Sequence, residues 1–339
     1  MIVSFYDKNF RGLQNNASLV VDKESYKLIK RPIEMNELRC KCEPFTEDIQ
    51  PTFMIIKDDI GRYVYGSLAG IPVLNKDNQT EITATDLKSM LSSDILVDFN
   101  VEYNNVNGYI DYIFDAWKIQ VNQNSFNVEL KYKEYDGVAL NVPIGLYVPA
   151  QEQKVYNAFT EIQKLLRYYN LYIESTIDLV NKKVVYTIGQ MMLDTKNIKL
   201  WEYGIRDYGK YIASVNETKG YYKIGDTLFP SDTTWILTSN NNITTNEANR
   251  DIYPIKKKII IADSKEKADS DALTKLLDAL YNEDININTT EGDFESKFAI
   301  YLKRGQGLYK NLPCGEIEYD SVGIKRIKIG FRYSNVSLI

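Results

Sequence analysis

One segment of the 339-residue chain has the glycine and lysine spacing of a phosphate-binding loop. Gly204, Gly209 and Lys210 match the pattern G-x4-G-K, in which backbone N–H groups and a lysine hold phosphate groups. The next residue should be serine or threonine to bind magnesium, and it is Tyr211. The pattern should also open a helix, whereas this segment alternates as a strand does. We therefore interpret the match as coincidence.

The chain contains no histidine, which removes most nucleophile–base pairs and every histidine-ligated zinc or iron site. Its three cysteines, Cys40, Cys42 and Cys314, are an odd number and argue against a disulfide framework. Leu38, Cys40 and Cys42 alternate with polar residues, so they share one face of a predicted strand and are expected to be buried. The sequence thus predicts no catalytic residue, no cofactor and no metal site.

The 46 Asp and Glu residues remain as candidates for acid–base chemistry. A glycosidase uses two carboxylates, but their separation in space cannot be read from sequence spacing. Asp58 and Asp59, like Glu47 and Asp48, are typical of turns. Residues 75–81 lack the central glycine of a calcium loop. A cell-wall hydrolase that uses two carboxylates is therefore the weakest functional alternative.

Tyrosine is abundant, with 26 copies against 12 Phe and 3 Trp. Pairs such as Tyr132 and Tyr135, or Tyr221 and Tyr222, could form a glycan-binding surface. Because these pairs are interleaved with predicted strands, we favour use in the core and in subunit interfaces. A receptor- or glycan-binding protein stays open as the main alternative.

The net charge of −5 argues against a dedicated nucleic-acid-binding protein. The longest basic run, residues 256–258, precedes three isoleucines and is typical of a solvated strand edge that resists aggregation. No signal peptide is evident, and no apolar stretch approaches the ~20 residues of a membrane span. Scarce cysteine fits synthesis in a reducing cytoplasm.

The elements that would carry these residues are mostly short strands. Apolar alternation and turn signals predict a first group of strands with a hairpin at Asp58–Gly61 and a short helix capped by Thr85. Helical spacing follows over residues 110–117 and 152–170, and a third helix is predicted to start at Asp269 or Ser270. The remaining strands are predicted in two groups, at residues 172–173 and 184–188, and at 211–215, 221–222, 234–237, 258–262, 298–302 and 324–331.

This order predicts a mainly β (α+β) fold. Two strand-rich β-sandwich or barrel domains, each with a helix, flank a small inserted α/β domain. We predict boundaries at residues 1–105, 106–200 and 201–339, with residues 195–240 partly assignable to the first barrel.

The order of segments resembles that of hub proteins at the distal end of bacteriophage tails. That group includes prophage tail-associated proteins and the baseplate hubs of contractile tails. The likeness covers most of the chain and is carried by an opening strand and turn, a hairpin, a strand with a D-L-K-S helix, a helix leading into a strand, and a basic final strand, at residues 2–12, 58–66, 83–91, 152–188 and 312–331.

The resemblance implies a structural, non-enzymatic protein with two tail-tube-like barrels. Three copies would form a ring in the virion that joins the tail tube to the tail tip and lets DNA pass. Its implied partners are the distal tail protein, the tube protein, the tape-measure protein and fibre or receptor-binding proteins. Because the chain ends at Ile339, soon after the final strand, we expect no lytic domain.

Overall fold

The computed structural model describes most of the chain, and the fold of the described residues is mainly β. This confirms the predicted fold class. The described residues are 1–14, 17–97, 105–122, 126–143, 154–169, 171–190, 195–199, 204–211, 215–239, 243–277, 282–288, 299–303 and 312–329.

Eight short strands form the N-terminal part. They are β1 (Ile2–Tyr6), β2 (Leu19–Val20), β3 (Lys27–Lys30), β4 (Glu37–Cys42), β5 (Phe53–Lys57), β6 (Tyr63–Leu68), β7 (Val73–Leu74) and β8 (Thr80–Thr85).

Six of these strands close into a barrel in the order β4-β8-β6-β5-β1-β2. The ring closes where Val21, just after β2, forms a bridge with Cys42 of β4. Neighbouring strands are antiparallel, and the predicted β5–β6 hairpin turns at Gly61, whose φ is +83°. A positive φ is costly for residues with a Cβ, so glycine suits this turn.

Side-chain alternation fills the barrel interior. In β4 the buried residues are Leu38, Cys40 and Cys42, and in β8 they are Thr80, Ile82 and Ala84. These face inward because successive side chains of a strand point to opposite sides.

Strand β5 is buried on both faces. Met54 and Ile56 belong to the barrel interior, whereas Phe53 and Ile55 belong to a second core outside the barrel. Strand β5 therefore contributes to both the barrel interior and the core of the next layer.

That second layer is built by the middle of the chain. Its helices are α1 (Val106–Gln120) and α2 (Ala158–Tyr168), together with a 3-10 helix at Leu87–Leu91. Its strands are β9 (Asp94–Val97), β10 (Val128–Tyr132), β11 (Glu134–Tyr135), β12 (Val138–Ala139), β13 (Lys154–Asn157), β14 (Leu171–Asp178) and β15 (Lys183–Gln190).

The middle strands form a three-stranded sheet, β10-β15-β14, and two ribbons. Strand β10 is parallel to β15, as expected for a small α/β unit. The apolar face of α1 is buried against this layer at Ile110, Ile113, Phe114 and Trp117, as its spacing predicts.

The C-terminal strands continue the sheet that contains the barrel. They are β16 (Thr195–Lys199), β17 (Gly204–Tyr211), β22 (Asn282–Asn288), β23 (Ala299–Lys303), β24 (Leu312–Tyr319) and β25 (Ile324–Ile329). The order β17-β22-β25-β24-β3 joins them to the barrel, because β24 pairs antiparallel with β3 from Ile317–Lys30 to Tyr319–Leu28.

A separate unit lies between β17 and β22. Its four strands, in spatial order β20-β19-β18-β21, are β18 (Glu217–Ile224), β19 (Thr227–Leu237), β20 (Ile243–Thr244) and β21 (Lys257–Ala262). Helix α3 (Lys265–Leu277) packs on one face of this sheet, and we call residues 215–277 the four-stranded module. β21 is an edge strand, as the basic run predicts. The predicted domain boundaries stay a prediction.

Three predicted helix starts are wrong. Asp86, not Thr85, caps the 3-10 helix, because its carboxylate accepts from Lys88 N at 3.0 Å. Residues 154–157 pair with β9 as strand β13, so α2 begins after its cap Asn157 instead of at residue 152. Helix α3 begins at Lys265, where Ser264 Oγ accepts from Lys267 N at 3.2 Å.

Candidate functional site

The phosphate-loop match lies in a strand. Gly204–Tyr211 forms β17 and pairs antiparallel with β22, so its backbone N–H groups serve a sheet and do not open a helix. This agrees with the interpretation of the match as coincidence.

The two N-terminal thiols are buried in the barrel. Cys40 is 4% exposed and Cys42 is 1% exposed. Burial, with smaller contributions from neighbouring charge, raises the pKa of each thiol to about 12. A thiol that stays protonated at neutral pH is a poor nucleophile and metal ligand, so these cysteines pack the barrel.

The adjacent acids at the β5–β6 turn organise backbone. Asp58 accepts from the N–H groups of Ile60 and Arg62 at 3.0 and 2.8 Å. Asp59 pairs with the N-terminal ammonium and, at 2.7 Å, with Lys23, and these partners lower its pKa to about 2. Across the described residues, no group of three acidic or cysteine side chains is placed to hold a metal ion.

These acids also line a cavity of about 320 Å³ between the barrel end and the β24–β25 turn. Its third carboxylate, Asp320, accepts from the N–H groups of Val322 and Gly323. Because each of these carboxylates already holds a turn or an ion pair, the cavity offers no carboxylate pair prepared for hydrolysis.

Several tyrosines act as core anchors. Tyr186 is fully buried and donates its hydroxyl to the Leu87 carbonyl at 2.8 Å. Tyr132 donates to Asp111 at 2.8 Å. The tyrosines considered above as a glycan-binding surface, Tyr132, Tyr135, Tyr221 and Tyr222, are each half-buried. A sugar-binding tyrosine needs an exposed ring, so this placement favours packing.

A set of charged side chains, fully buried at its centre, lies where three parts of the chain meet. We call Arg31, Glu34, Asp86, Lys88, Arg167 and Glu316 the ionic junction. Side chains of Asp86 and Lys88 are both 0% exposed, and Lys88 Nζ lies 3.4 Å from Asp86 Oδ2. Charged groups are rarely buried this deeply unless paired.

Lys88 is also bound by backbone carbonyls of the loop between β3 and β4. Its ammonium donates to the carbonyls of Arg31, at 3.1 Å, and of Glu34. Burial lowers the Lys88 pKa, while Asp86 and Glu34 oppose that shift. Asp86 in turn accepts from Asn36 N at 2.5 Å and from Ser175 Oγ in β14 at 3.2 Å.

Two further ion pairs fix this loop to distant segments. Arg31 bonds Glu316 of β24 at 2.7 Å and Glu37 at 2.9 Å. Burial disfavours its charge, yet these two carboxylates raise the Arg31 pKa overall. Glu34 bonds Arg167 of α2 at 2.7 Å. The ionic junction thus ties the barrel to both the α/β layer and the C-terminal sheet.

The sequence pattern alone does not reveal this junction. The pattern of residues 86–91 predicts a short helix, and a lysine within it reads as solvent-exposed. Nothing in local spacing shows that Lys88 meets carbonyls more than fifty positions earlier in the chain.

No helix among the described residues is long and apolar enough to cross a membrane. No protein-family model matches the chain, and no curated protein matches it in sequence.

Solved structures with similar folds do exist. Prophage tail protein gp18 from Listeria monocytogenes EGD-e aligns with a TM-score of 0.50 and 12% identity, covering 97% of this chain and 94% of that chain. The tail protein from Neisseria meningitidis MC58 aligns with a TM-score of 0.50 and 9% identity, covering 96% and 95%.

A chain of the lidded Francisella PdpA-VgrG complex aligns with a TM-score of 0.52 and 9% identity. The match covers 97% of this chain but 51% of that one. At these identities the likeness is one of fold. The resemblance to phage tail and baseplate-hub proteins is thus confirmed at the level of the fold, across nearly the whole chain.

Proposed function

We propose that this protein is a structural hub of a bacteriophage tail or phage-like particle. Three copies form a ring that joins the tail tube and distal tail protein to the tail tip. The observation that carries this proposal is the end-to-end fold likeness to a prophage tail protein, which leaves little of either chain outside the match.

The internal construction supports a load-carrying role. The barrel is closed, its wall is shared with a second core, and the partly buried ion pair between Arg31 and Glu316 ties it to the C-terminal sheet. These ties between distant segments suit a subunit of a ring. The buried thiols and turn-forming carboxylates further favour a building block over a catalyst.

The ring would also contact the tape-measure protein and fibre or receptor-binding proteins, and DNA would pass through its lumen. The net charge of −5 suits that passage, since like charge keeps DNA from adhering to the wall.

The test is the mass of the purified full chain and its position in the particle. We expect native mass spectrometry to give a trimer, and electron cryomicroscopy of tails to place it as a ring on the tail axis. A monomer in the particle, or a peripheral location, would overturn the proposal.

Two simpler assays address the alternatives. Zymography on cell walls should give no clearing, and a glycan array should give no specific binding. Clearing by the purified chain would instead indicate a hydrolase, and specific glycan binding would indicate a receptor-binding component.

A further inference from the structure

The four-stranded module has two unlike faces. Helix α3 covers one of them at close range: a Cβ on Gly220 of β18 would lie 2.5 Å from the Ala268 carbonyl oxygen. Thr218, on the same face, donates its hydroxyl to the Ala272 carbonyl at 2.7 Å. Glycine at position 220 is what permits this contact.

The opposite face carries apolar side chains that are exposed to solvent. In register, Ile259 lies beside Lys219, and Ile261 lies beside Tyr221. Ile259 is 53% exposed and Ile261 is 59% exposed. At the hairpin end, Lys223 pairs with Leu228, which is 44% exposed. We call these six residues the open face.

The same side of the sheet is covered at the end where β18 begins. The exposed isoleucines therefore lie only on the uncovered part of this side. Glu217 and Ile236, which pair with each other, are 5% and 1% exposed. The segment that covers them carries Arg250, which is paired with Glu217. Asn216 Nδ2 donates to the Pro254 carbonyl at 2.9 Å and fastens the same segment.

The open face carries two lysines around an apolar centre, Lys219 and Lys223, and Asp226 lies 3.7 Å from Lys223. Lys257 lies at the covered end of the face. The nearby carboxylate of Glu217 is already bound by Arg250 and Lys257. Apolar centres with charged rims are typical of protein interfaces, whereas a nucleic-acid site would show few exposed isoleucines.

The same chain carries a surface of the opposite charge. Residues 43–56 contain no lysine or arginine. Glu43 accepts from Val20 N at 2.9 Å, and Glu47 is bonded to Gln14 N. Val20 is 54% exposed and Ile49 is 58% exposed. We call Val20, Glu43, Glu47, Asp48 and Ile49 the acidic rim.

We propose that the open face of one copy binds the acidic rim of the next copy. This inference rests on the trimeric ring proposed above and names the surfaces that build it. A contact between two different patches is heterologous, and such contacts generate closed rings when the rotation between copies permits. Opposite charge at the two patches selects the partner and its register.

The test uses two single variants of the full chain, Ile261→Asp and Ile49→Lys. Each places a charge against a like-charged partner surface, so we expect each to weaken association at least ~30-fold and to run as a monomer. Native mass spectrometry reads the state, and circular dichroism checks the fold. Val180→Asp is the matched control, because Val180 is 90% exposed and lies on neither surface, and it should stay trimeric.

Mixing the two variants sharpens the result. Each lacks a different half of the contact, so an equal mixture should give a heterodimer with one intact junction and no closed ring. A wild-type monomer would overturn the trimeric ring itself. A trimeric wild type with a trimeric Ile261→Asp variant would overturn the open face alone, and a trimeric Ile49→Lys variant would overturn the acidic rim as its partner.

Discussion

The barrel and the four-stranded module solve the same physical problem in different ways. A sheet must bury its apolar faces and satisfy its edges. The barrel does both internally, with its edges joined at Val21 and Cys42 and with β5 covered on both sides. The module covers one face with α3 and leaves the other face with exposed isoleucines. The first arrangement buries its apolar surface within the chain, and the second leaves apolar surface exposed.

The loss of unfolding free energy should differ most between the alanine variants of two phenylalanines, one in the barrel and one in the module. Phe53 of the barrel wall is fully buried and stacks on Phe10 at 4.6 Å. Phe53→Ala should cost about 4 kcal/mol of unfolding free energy through lost burial and a cavity. Phe229 of the module is 40% exposed, so Phe229→Ala should cost about 1 kcal/mol or less. Urea unfolding of the two variants measures both, and equal losses would contradict the comparison.

Ion pairs should show the next largest contrast. Lys88→Met leaves Asp86 buried without its cation and should cost about 3 kcal/mol. Lys265 pairs with Asp232 at 2.6 Å near the surface of the module, so Lys265→Met should change stability far less than Lys88→Met does.

Thermal unfolding at low and high salt separates these two cases. The stability lost in Lys88→Met should hardly depend on salt, because solvent ions do not reach the buried pair of Lys88 and Asp86. A small, salt-dependent loss for Lys88→Met would show that the ionic junction is open to solvent.

Alanine in place of glycine should destabilise the module more than the barrel, the reverse of the two contrasts above. Gly220→Ala meets the backbone of α3, which cannot yield without moving the helix, and should cost about 2 kcal/mol. Gly66→Ala in β6 meets mainly the side-chain end of Tyr63, which can rotate, and should cost about 1 kcal/mol. Hydrogen exchange by mass spectrometry should locate the first loss in α3 peptides and the second in barrel peptides.

The last contrast between the barrel and the module should appear only at alkaline pH. In the folded barrel the pKa of Cys40 and Cys42 is about 12, against 9.0 for an ordinary thiol, so the unfolded chain releases protons first. Their contribution is complete below about pH 9 and is lost as pH rises toward 12. The module contains no cysteine. Rising pH should therefore destabilise the barrel before the module, which hydrogen exchange of the two regions measures. The double variant Cys40→Ala/Cys42→Ala should remove this difference between the barrel and the module.

Local sequence patterns predicted most helices and strands but not which of them pair or pack together. Alternation in residues 37–42 is sufficient for β4, because a strand with one buried face has a period of two. The stripe in α1 is likewise a property of neighbouring turns. Residues 154–157 carry the same apolar spacing as the helix after them, and their pairing with β9 made them a strand.

The ionic junction could not be predicted for a related reason. Lys88 is charged, and charge in a short polar segment indicates exposure. Its burial depends on carbonyls of the loop after β3 and on Asp86, which accepts from Asn36 N of that loop and from Ser175 of β14. The open face was likewise hidden, because a short continuous apolar run such as residues 259–262 does not show which of its side chains are exposed.

The pairing of β24 with β3 also sets the order of events during synthesis. Leu28 meets Tyr319, and Arg31 meets Glu316 across 285 positions of sequence. Contacts between such distant positions make folding slow, because a long loop must close before they form. The edge of β3 that pairs with β24 therefore stays unpaired until the ribosome has translated almost the entire chain. Until then it is exposed to pairing with other nascent chains, a hazard that chaperones would have to manage.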